Sequence, residues 1–222
     1  MKTSFRNIRL DIDKLIKQKN SEDYNPDEDR RPKKDKTREH IIYSALVVFS
    51  DIGYDAANIR DIVRESGLSP GTFYNYFEDK APIFILILDY LLLNIRQEIR
   101  IARIQAKTAD DFVYDTYYSF LHYFDRNPII LNFISKNLFP IRSAIYEGNQ
   151  MTGIYFELEK DLKGMIKEGL FPATSNTRYL AWTMVGTAVE ILTQMTIKKK
   201  INIQDCCDYM VKLFVGGAKN AV

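Results

Sequence analysis

Residues 36–84 read KTREHIIYSALVVFSDIGYDAANIRDIVRESGLSPGTFYNYFEDKAPIF, and this stretch decides the fold. It contains three short helical patterns in succession, each bounded by residues that favour the start or the end of a helix. The third pattern, residues 69–77, carries small and hydrogen-bonding side chains on one face. Two short helices joined by a tight glycine-containing turn, with the second facing solvent, form the helix-turn-helix that places a helix in the major groove of DNA.

The first two helices are predicted from apolar periodicity and from their ends. The apolar residues of the first recur at helical spacing, at Ile41, Ile42, Ala45, Leu46, Val48 and Phe49. Gly53 is expected to end it, because glycine tolerates positive φ. Asn58 is a good N-cap for the second helix, and Asp61 suits the positive end of its dipole. Ile59, Ile62 and Val63 form the expected buried face of that helix.

The third helix has equally clear boundaries. Gly67 closes the second helix and Leu68 fills the turn. Ser69 is the expected N-cap, and Pro70 occupies the first helical position, where a missing N–H costs nothing. Phe73 and Phe77 lie four residues apart and are expected to face the core. The outward side chains are then those of Thr72, Tyr74, Asn75 and Tyr76.

Spacing and residue type over about thirty consecutive positions resemble the N-terminal domain of the TetR family of transcriptional repressors. The matching residues are Phe49, Gly53 and Tyr54, then Ile59-Arg60-Asp61-Ile62, then Ser66-Gly67-Leu68-Ser69, and finally residues 71–77 followed by Lys80. Two departures occur. Ala57 and Asn58 replace the usual threonines at the start of the second helix, and Ala81 and Pro82 replace the usual acidic pair after the lysine.

The resemblance implies an all-α protein with a DNA-binding head and a helical body that binds a ligand and dimerises. It implies contacts to bases or nearby phosphates from Asn58, Arg60, Ser69, Gly71, Thr72, Tyr74, Asn75 and Tyr76, with a phosphate held by Lys80. Asn58 offers an amide where the family usually has a hydroxyl. The predicted organisation is an N-terminal extension at residues 1–35, the DNA-binding head at 36–80 and the body at 81–222.

The charge of the head does not by itself favour DNA, because acidic residues outnumber Lys and Arg between residues 36 and 80. Phosphate neutralisation supplies most of the affinity of DNA-binding proteins. Positive charge lies just upstream, at Arg30, Arg31, Lys33 and Lys34. This run predicts a basic arm that contacts the DNA backbone or the minor groove. The alternative is a solvated linker.

The start of the chain is not typical of a signal peptide or a membrane anchor, because charges interrupt its apolar positions. A short amphipathic helix followed by a polar linker is predicted instead. The longest apolar run, residues 83–95, is shorter than a membrane span and contains Asp89. Together with the adjacent pair Cys206 and Cys207, which is unsuited to a framework disulfide, this favours a reducing cytoplasm. Buried thiols are favoured over redox sensors.

The rest of the chain is predicted to be helical, with no alternating strand pattern. The expected helices cover residues 80–107, 110–125, 129–138, 141–169, 176–198 and 203–217. The helix at 176–198 is apolar on more than one side, and the helix at 203–217 carries an apolar stripe at Cys206, Met210, Leu213 and Phe214. This is typical of two helices packed both inside a protomer and against a partner. The family resemblance implies the same four-helix interface between two subunits. Its expected residues are Trp182, Val185, Val189, Leu192, Met210, Leu213 and Phe214.

The body is rich in aromatic residues, which are either ordinary core or the lining of a pocket for an apolar ligand. The resemblance implies a pocket. The residues predicted to line it are Tyr117, Phe120, His122, Phe124, Phe133, Arg142, Phe156 and Met184. The segment 127–137 and the pair Ile141-Arg142 resemble family members that sense fatty acids or acyl-thioesters. Arg142, Lys136 and His122 are the expected anchors for an acid or a phosphate.

No enzymatic machinery is evident. The chain has two histidines, His40 and His122, lacks a glycine-rich phosphate loop, and has no cysteines at metal-ligand spacing. No cofactor and no metal are predicted. The sequence therefore favours a ligand-responsive repressor that binds a palindromic DNA operator as a homodimer. The alternative is a helical DNA-binding adaptor or architectural protein without a small-molecule switch.

Overall fold

The structure, a computed structural model, describes residues 32–147, 150–173, 176–198 and 201–217. Helices and turns account for these residues, and no strand occurs among them. Two compact units divide between Leu91 and Leu92. The helices are α1 (Lys33–Ile52), α2 (Ile59–Ser66), α3 (Pro70–Tyr74), α4 (Lys80–Gln105), α5 (Ala109–Asp125), α6 (Pro128–Lys136), α7 (Leu138–Glu147), α8 (Gln150–Lys167), α9 (Thr177–Lys198) and α10 (Ile203–Val211).

The first unit, which we call the head, is built on the apolar face predicted for the first helix. Side chains from α1, α2 and α3 meet in a core in which Ile41, Ile42, Leu46, Phe49, Ile62 and Phe73 are fully buried. Phe77 is buried with them, and its ring centroid lies 6.3 Å from that of Phe73. The predicted core of the head is therefore confirmed, except that Ile59 and Val63 of α2 are only partly buried.

The predicted helix ends of the head are confirmed as well. Gly53 follows the last residue of α1 at φ 83°, and Gly67 closes α2 in the left-handed conformation at φ 65°. The side chain of Asn58 caps α2 and forms a reciprocal capping box with Asp61. The Ser69 side chain accepts a hydrogen bond from the backbone N–H of Thr72 and caps α3.

The start of α1 differs from the predicted linker boundary. Lys33 and Lys34 lie in the first turn of α1, where their side chains are exposed, rather than in an extended linker. Pro32 precedes this turn and suits a helix start. Arg30 and Arg31, and the predicted amphipathic helix before them, lie outside the described residues.

The second unit, which we call the body, is organised around α5. This helix packs along α10 and also contacts α6 and α9, while α8 packs against α9. Its residues Phe112, Val113, Tyr117 and Leu121 form one core with Leu158 and Leu162 of α8, Met184 of α9, and Cys207 and Met210 of α10. The Tyr117 ring stacks on Phe214 at 5.9 Å, and its hydroxyl donates to the Met184 carbonyl oxygen at 2.8 Å. Tyr117 thus joins three segments.

Two predicted helix boundaries in the body were wrong. The expected helix at 129–138 ends at Lys136, and a new helix, α7, begins at Leu138 and includes Pro140 in its first turn. Proline is tolerated there because the first-turn N–H groups have no partner within the helix. The helical stretch predicted over 141–169, with Gly148 and Gly153 as its weak points, corresponds to α7 and α8, and residues 148 and 149 lie outside the described residues.

The end of the body changes helix type, since α10 continues into a π-helical turn at Lys212–Gly216. Cys207 is buried and Cys206 partly buried. Burial raises the pKa of Cys206 and, as the main cause, raises the pKa of Cys207 to about 12. Both thiols therefore remain protonated near neutral pH, which is unsuited to a thiolate sensor. None of the helices in the described part of the chain is long and apolar enough to span a membrane.

Candidate nucleic-acid interface

The turn between α2 and α3 is fixed by a small group of hydrogen bonds around Ser66. The Ser66 hydroxyl donates to the Val63 carbonyl oxygen at 2.9 Å and accepts from the Leu68 backbone N–H at 3.3 Å. His40 of α1 donates from Nε2 to the Ser66 carbonyl oxygen at 2.8 Å. These bonds satisfy polar groups at the end of α2 and tie the turn to α1. The direction of α3 is therefore fixed by hydrogen bonds within the head.

The outer face of α3 and the turn after it carry the residues predicted to contact DNA. Ser69, Gly71, Tyr74 and Asn75 are exposed, whereas Thr72 and Tyr76 are partly buried. Tyr74 is 55% exposed, although its ring also meets Phe73 edge-on at 5.5 Å. The Ser69 and Thr72 hydroxyl oxygens lie 2.9 Å apart and share a hydrogen bond. A polar and aromatic surface is thus presented on a short rigid element.

The start of α2 lies in the same unit and presents Asn58 and Arg60 to solvent. Asn58 uses its Oδ1 to accept from the Asp61 backbone N–H at 3.2 Å, while Asp61 Oδ2 accepts from the Asn58 N–H at 2.9 Å. The side-chain amide oxygen of Asn58 is therefore already occupied by capping of α2. The Arg60 guanidinium extends from the first turn of α2 as a candidate phosphate or base contact.

Lys80 has an internal role that its sequence position did not reveal. From the first position of α4, its Nζ donates to the carbonyl oxygens of Tyr54 and Ala57 at 2.7 and 2.6 Å. It also lies 4.5 Å from the centre of the Tyr54 ring. This ammonium therefore ties the start of α4 to the loop that precedes α2. The predicted phosphate contact stays a prediction, but Lys80 is also a structural residue, so its removal is expected to lower stability.

Gly71 is a glycine that the protein alone does not require. A Cβ built at this position would meet only the Ser69 Oγ, at 3.9 Å, which is ordinary contact. Its φ is not in the left-handed region. Glycine within a helix costs about 0.5–1 kcal/mol relative to alanine. The absence of a side chain at Gly71 leaves the exposed face of α3 open to a close approach by a partner molecule.

The body residues predicted to bind a ligand do not form one group. Tyr117, Phe124, Phe133 and Met184 are buried. Phe120 is partly buried with its ring 5.2 Å from Phe124, and His122 stacks on Tyr118 at 5.2 Å. Arg142 and Phe156 are exposed, as is Lys136. The surface positions of Arg142 and Phe156 differ from the expected interior lining, because a helical repeat predicts a face but not its neighbours.

Some of the residues predicted for a dimer interface are buried within the protomer, and others are exposed. Leu192, Met210 and Phe214 are buried within the protomer, and Val185 is partly buried. Met210 and Phe214 belong to the body core, and their predicted part in a dimer interface stays a prediction. Trp182, Val189 and Leu213 are exposed. The sequence interpretation missed the other large apolar side chains exposed on these helices, which are Tyr179, Ile197 and Tyr209.

The sequence of the head is similar to those of known regulatory proteins. The sequence profile of the bacterial regulatory proteins of the tetR family matches residues 41–87. The uncharacterized HTH-type transcriptional regulator YvdT of Bacillus subtilis (strain 168) is 39% identical over 62 residues, which are 28% of this chain and 32% of that protein. The match thus spans about a third of that relative's length.

Solved structures extend the likeness to the body. The fatty acid degradation regulator FadR from Bacillus halodurans superposes with a TM-score of 0.71 at 20% identity, covering 85% of this chain and 98% of that one. FadR from Bacillus subtilis in complex with stearoyl-CoA gives 0.69 at 20% identity, covering 80% and 97%. At these identities the likeness concerns the fold.

A three-helix head with a fixed turn and an exposed reading face, followed by an all-helical body, defines a helix-turn-helix DNA-binding protein. The head matches the tetR family of bacterial regulatory proteins over residues 41–87, and the chain shares its fold with the two FadR regulators. No group of three or more His, Cys, Asp or Glu side chains able to hold a metal occurs within the described ranges.

Gly71→Ala should change stability and DNA affinity in opposite directions. The added methyl fits the protein and should stabilise the fold by about 0.5–1 kcal/mol. It should weaken binding to an operator selected from random DNA by about tenfold or more, because overpacking a close contact costs about 1–3 kcal/mol. Chemical denaturation and fluorescence anisotropy measure the two quantities. Gly164→Ala in α8 is the matched control, because a Cβ there is also unobstructed. Unchanged operator affinity for Gly71→Ala would contradict this interpretation.

Tyr74→Ala should lower operator affinity about 5- to 100-fold, since a base contact is worth about 1–3 kcal/mol. Its exposure means that the melting temperature should change little. Phe139→Ala, which removes an aromatic ring that is 81% exposed in the body, should leave operator affinity unchanged. Equal affinities of wild type and Tyr74→Ala would remove Tyr74 from the reading face.

Proposed function

We propose that this protein is a ligand-responsive transcriptional regulator, a repressor that binds a palindromic operator in the cytoplasm and is released by a small amphipathic effector. The observation that carries the proposal is the exposed face of α3, held by the Ser66 turn and containing a glycine at which the protein itself would accept a Cβ. The family of the head supports the same function.

DNA binding in this proposal combines contacts that recognise the base sequence with contacts that neutralise phosphate charge. Side chains of α3 and the following turn, with Arg60 of α2, contact base edges and nearby phosphates. Exposed Lys33 and Lys34 in the first turn of α1, with Arg30 and Arg31 before them, contact the DNA backbone and offset the acidic balance of the head.

The proposed active form is a homodimer, because a palindrome presents two half-sites about 34–36 Å apart, and one head reads one of them. The unpartnered side of α9 supplies a surface for the second copy. Tyr179, Trp182, Val189 and Ile197 are spaced so that they lie on one side of this helix, and each is between 46% and 65% exposed. Tyr209 and Leu213 of the last helical segment are exposed as well. Four such helices, two from each protomer, form the proposed interface.

The proposed effector is an acyl compound with a polar head group. The aromatic interior of the body suits an apolar chain. One protein of similar fold, the FadR of Bacillus subtilis, is described in complex with stearoyl-CoA. Because α4 is one continuous helix from Lys80 to Gln105, a shift of its body half reaches the head. The effector must bind the DNA-incompetent arrangement more tightly, and DNA must then weaken effector binding by the same factor.

Stearoyl-CoA titrated into the complex of protein and operator should release the DNA. Coupling free energies of this kind are about 1–3 kcal/mol, so operator affinity should fall about 5- to 150-fold. Fluorescence anisotropy measures release and calorimetry measures effector binding, with coenzyme A alone as the control. If stearoyl-CoA binds in the calorimeter while operator affinity stays constant, the protein is a DNA-binding adaptor without this switch.

Val189→Glu should convert the dimer to a monomer, because it buries an unpaired charge at the centre of the proposed interface. Analytical ultracentrifugation measures the change, and operator affinity should fall with it. Ile104→Glu is the matched control: Ile104 is 72% exposed on α4 and lies outside the proposed interface. A Val189→Glu variant that sediments as the wild type does would exclude this face as the interface.

A further inference from the structure

Arg103, near the end of α4, is the cation that lies deepest in the body. Its side chain is 12% exposed. Among the basic residues between 92 and 217 whose side chains the structure describes, the others are exposed except for Arg96. Arginine is almost never buried without compensation, because removing its charge from water is costly. An interior guanidinium on the helix that continues into the head therefore requires an explanation.

The compensation of Arg103 is incomplete. Its Nη1 contacts Asp161 Oδ2 of α8 at 3.2 Å, and its Nε donates to Thr116 Oγ1 of α5 at 3.3 Å. Its Cζ lies 5.7 Å from the centre of the Phe112 ring. Arginine has five N–H donors, and these contacts use two of them. The remaining donors, including both on Nη2, contact no acceptor in the described part of the chain.

Arg96, seven residues earlier on α4, contacts its carboxylate partner in a different way. Its Nε and Nη2 contact the two carboxylate oxygens of Glu157, so that the fork is occupied by a bidentate partner. Asp161 occupies only one arm of the Arg103 fork, and the Asp161 side chain is 39% exposed. Burial lowers the pKa of Arg103, while its interaction with Asp161 opposes that effect. Arg103 thus remains a cation, and its carboxylate contact is one-armed where that of Arg96 is bidentate.

We propose that Arg103 anchors the anionic group of the effector, a carboxylate or a phosphate, and that Asp161 is the counter-ion which this group displaces. The inference rests on the proposed function and specifies its ligand. The planar guanidinium matches both anions bidentately. Buried Phe112 beside it suits the first carbons of an acyl chain. Arg142, Lys136 and His122, the anchors expected from the sequence, are respectively exposed, exposed and stacked on Tyr118.

This assignment also supplies a regulatory step. The pair of Arg103 and Asp161 links α4 to α8. An anion that binds the other donors of Arg103 competes with Asp161 for the same guanidinium, and the link weakens. Arg96 and Glu157 link the same two helices through a bidentate contact, and the Arg96 side chain is 39% exposed. The effector therefore loosens the end of α4 while its earlier turns stay attached.

The experiment compares three probes of equal chain length, laurate, dodecyl phosphate and dodecanol, by calorimetry with the full-length protein. The two anions should bind wild type about 10- to 100-fold more tightly than the alcohol, as expected for charge-assisted hydrogen bonds. The anion that binds more tightly identifies the source of the head group. Arg103→Met should abolish this preference and leave dodecanol affinity unchanged. Arg96→Met, the matched control, should retain it.

Asp161→Asn separates an anchor from a merely structural ion pair. Removing the competing carboxylate should raise anion affinity several-fold without changing the affinity for dodecanol, whereas a structural role predicts loss or no change. Arg103→Lys keeps the charge but loses the fork and should retain only part of the preference, which provides a second variant if Arg103→Met does not fold.

Two outcomes overturn the inference in different ways. If all three probes bind wild type equally, Arg103 is not the anchor, while an acyl-responsive repressor remains possible to test by DNA release. If none of the probes binds and stearoyl-CoA does not release DNA, the proposed effector class fails together with the anchor.

Discussion

The burial of Phe73 is the constraint on which the reading surface depends. This ring is fully buried among α1, α2 and α3, and Phe77 packs against it. Because α3 is only five residues long, fixing one side chain fixes the rotation of the whole helix. Tyr74 and Asn75 then point to solvent. Ser66 and His40 set the direction of α3, and Phe73 determines which side of α3 faces solvent.

The helix α4 is the element that the two units share. Lys80 at its start binds carbonyl groups of the loop before α2, and Arg103 near its end binds Asp161 of α8. Each contact is made by a cation that is only partly exposed to solvent. Electrostatic interactions are stronger where water is excluded. In the proposed mechanism, a change in the partner of one cation moves this helix without changing the fold.

Periodicity was less informative in the body than in the head. The last two helices are apolar on more than one side, so their sequence is compatible with several rotations. The core selects one of them, in which Phe214 stacks on Tyr117 and Leu213 faces outward. The same choice buries Met210 and exposes Tyr209. Packing against α5 thus decides which residue of each adjacent pair is buried and which is exposed.

The sequence by itself determined the helix-turn-helix, its caps and its outward residues, because these depend on interactions between residues at most four positions apart. Asn58 with Asp61, Ser69 with Thr72, and Gly67 at positive φ are of this kind. Only the tertiary structure decided the roles of Lys80 and Arg103. Lys80 meets carbonyl groups 26 and 23 residues away, and Arg103 meets a carboxylate 58 residues away. A charged residue in a helical pattern is ordinarily a solvated one, and its burial depends on which distant helix packs against it.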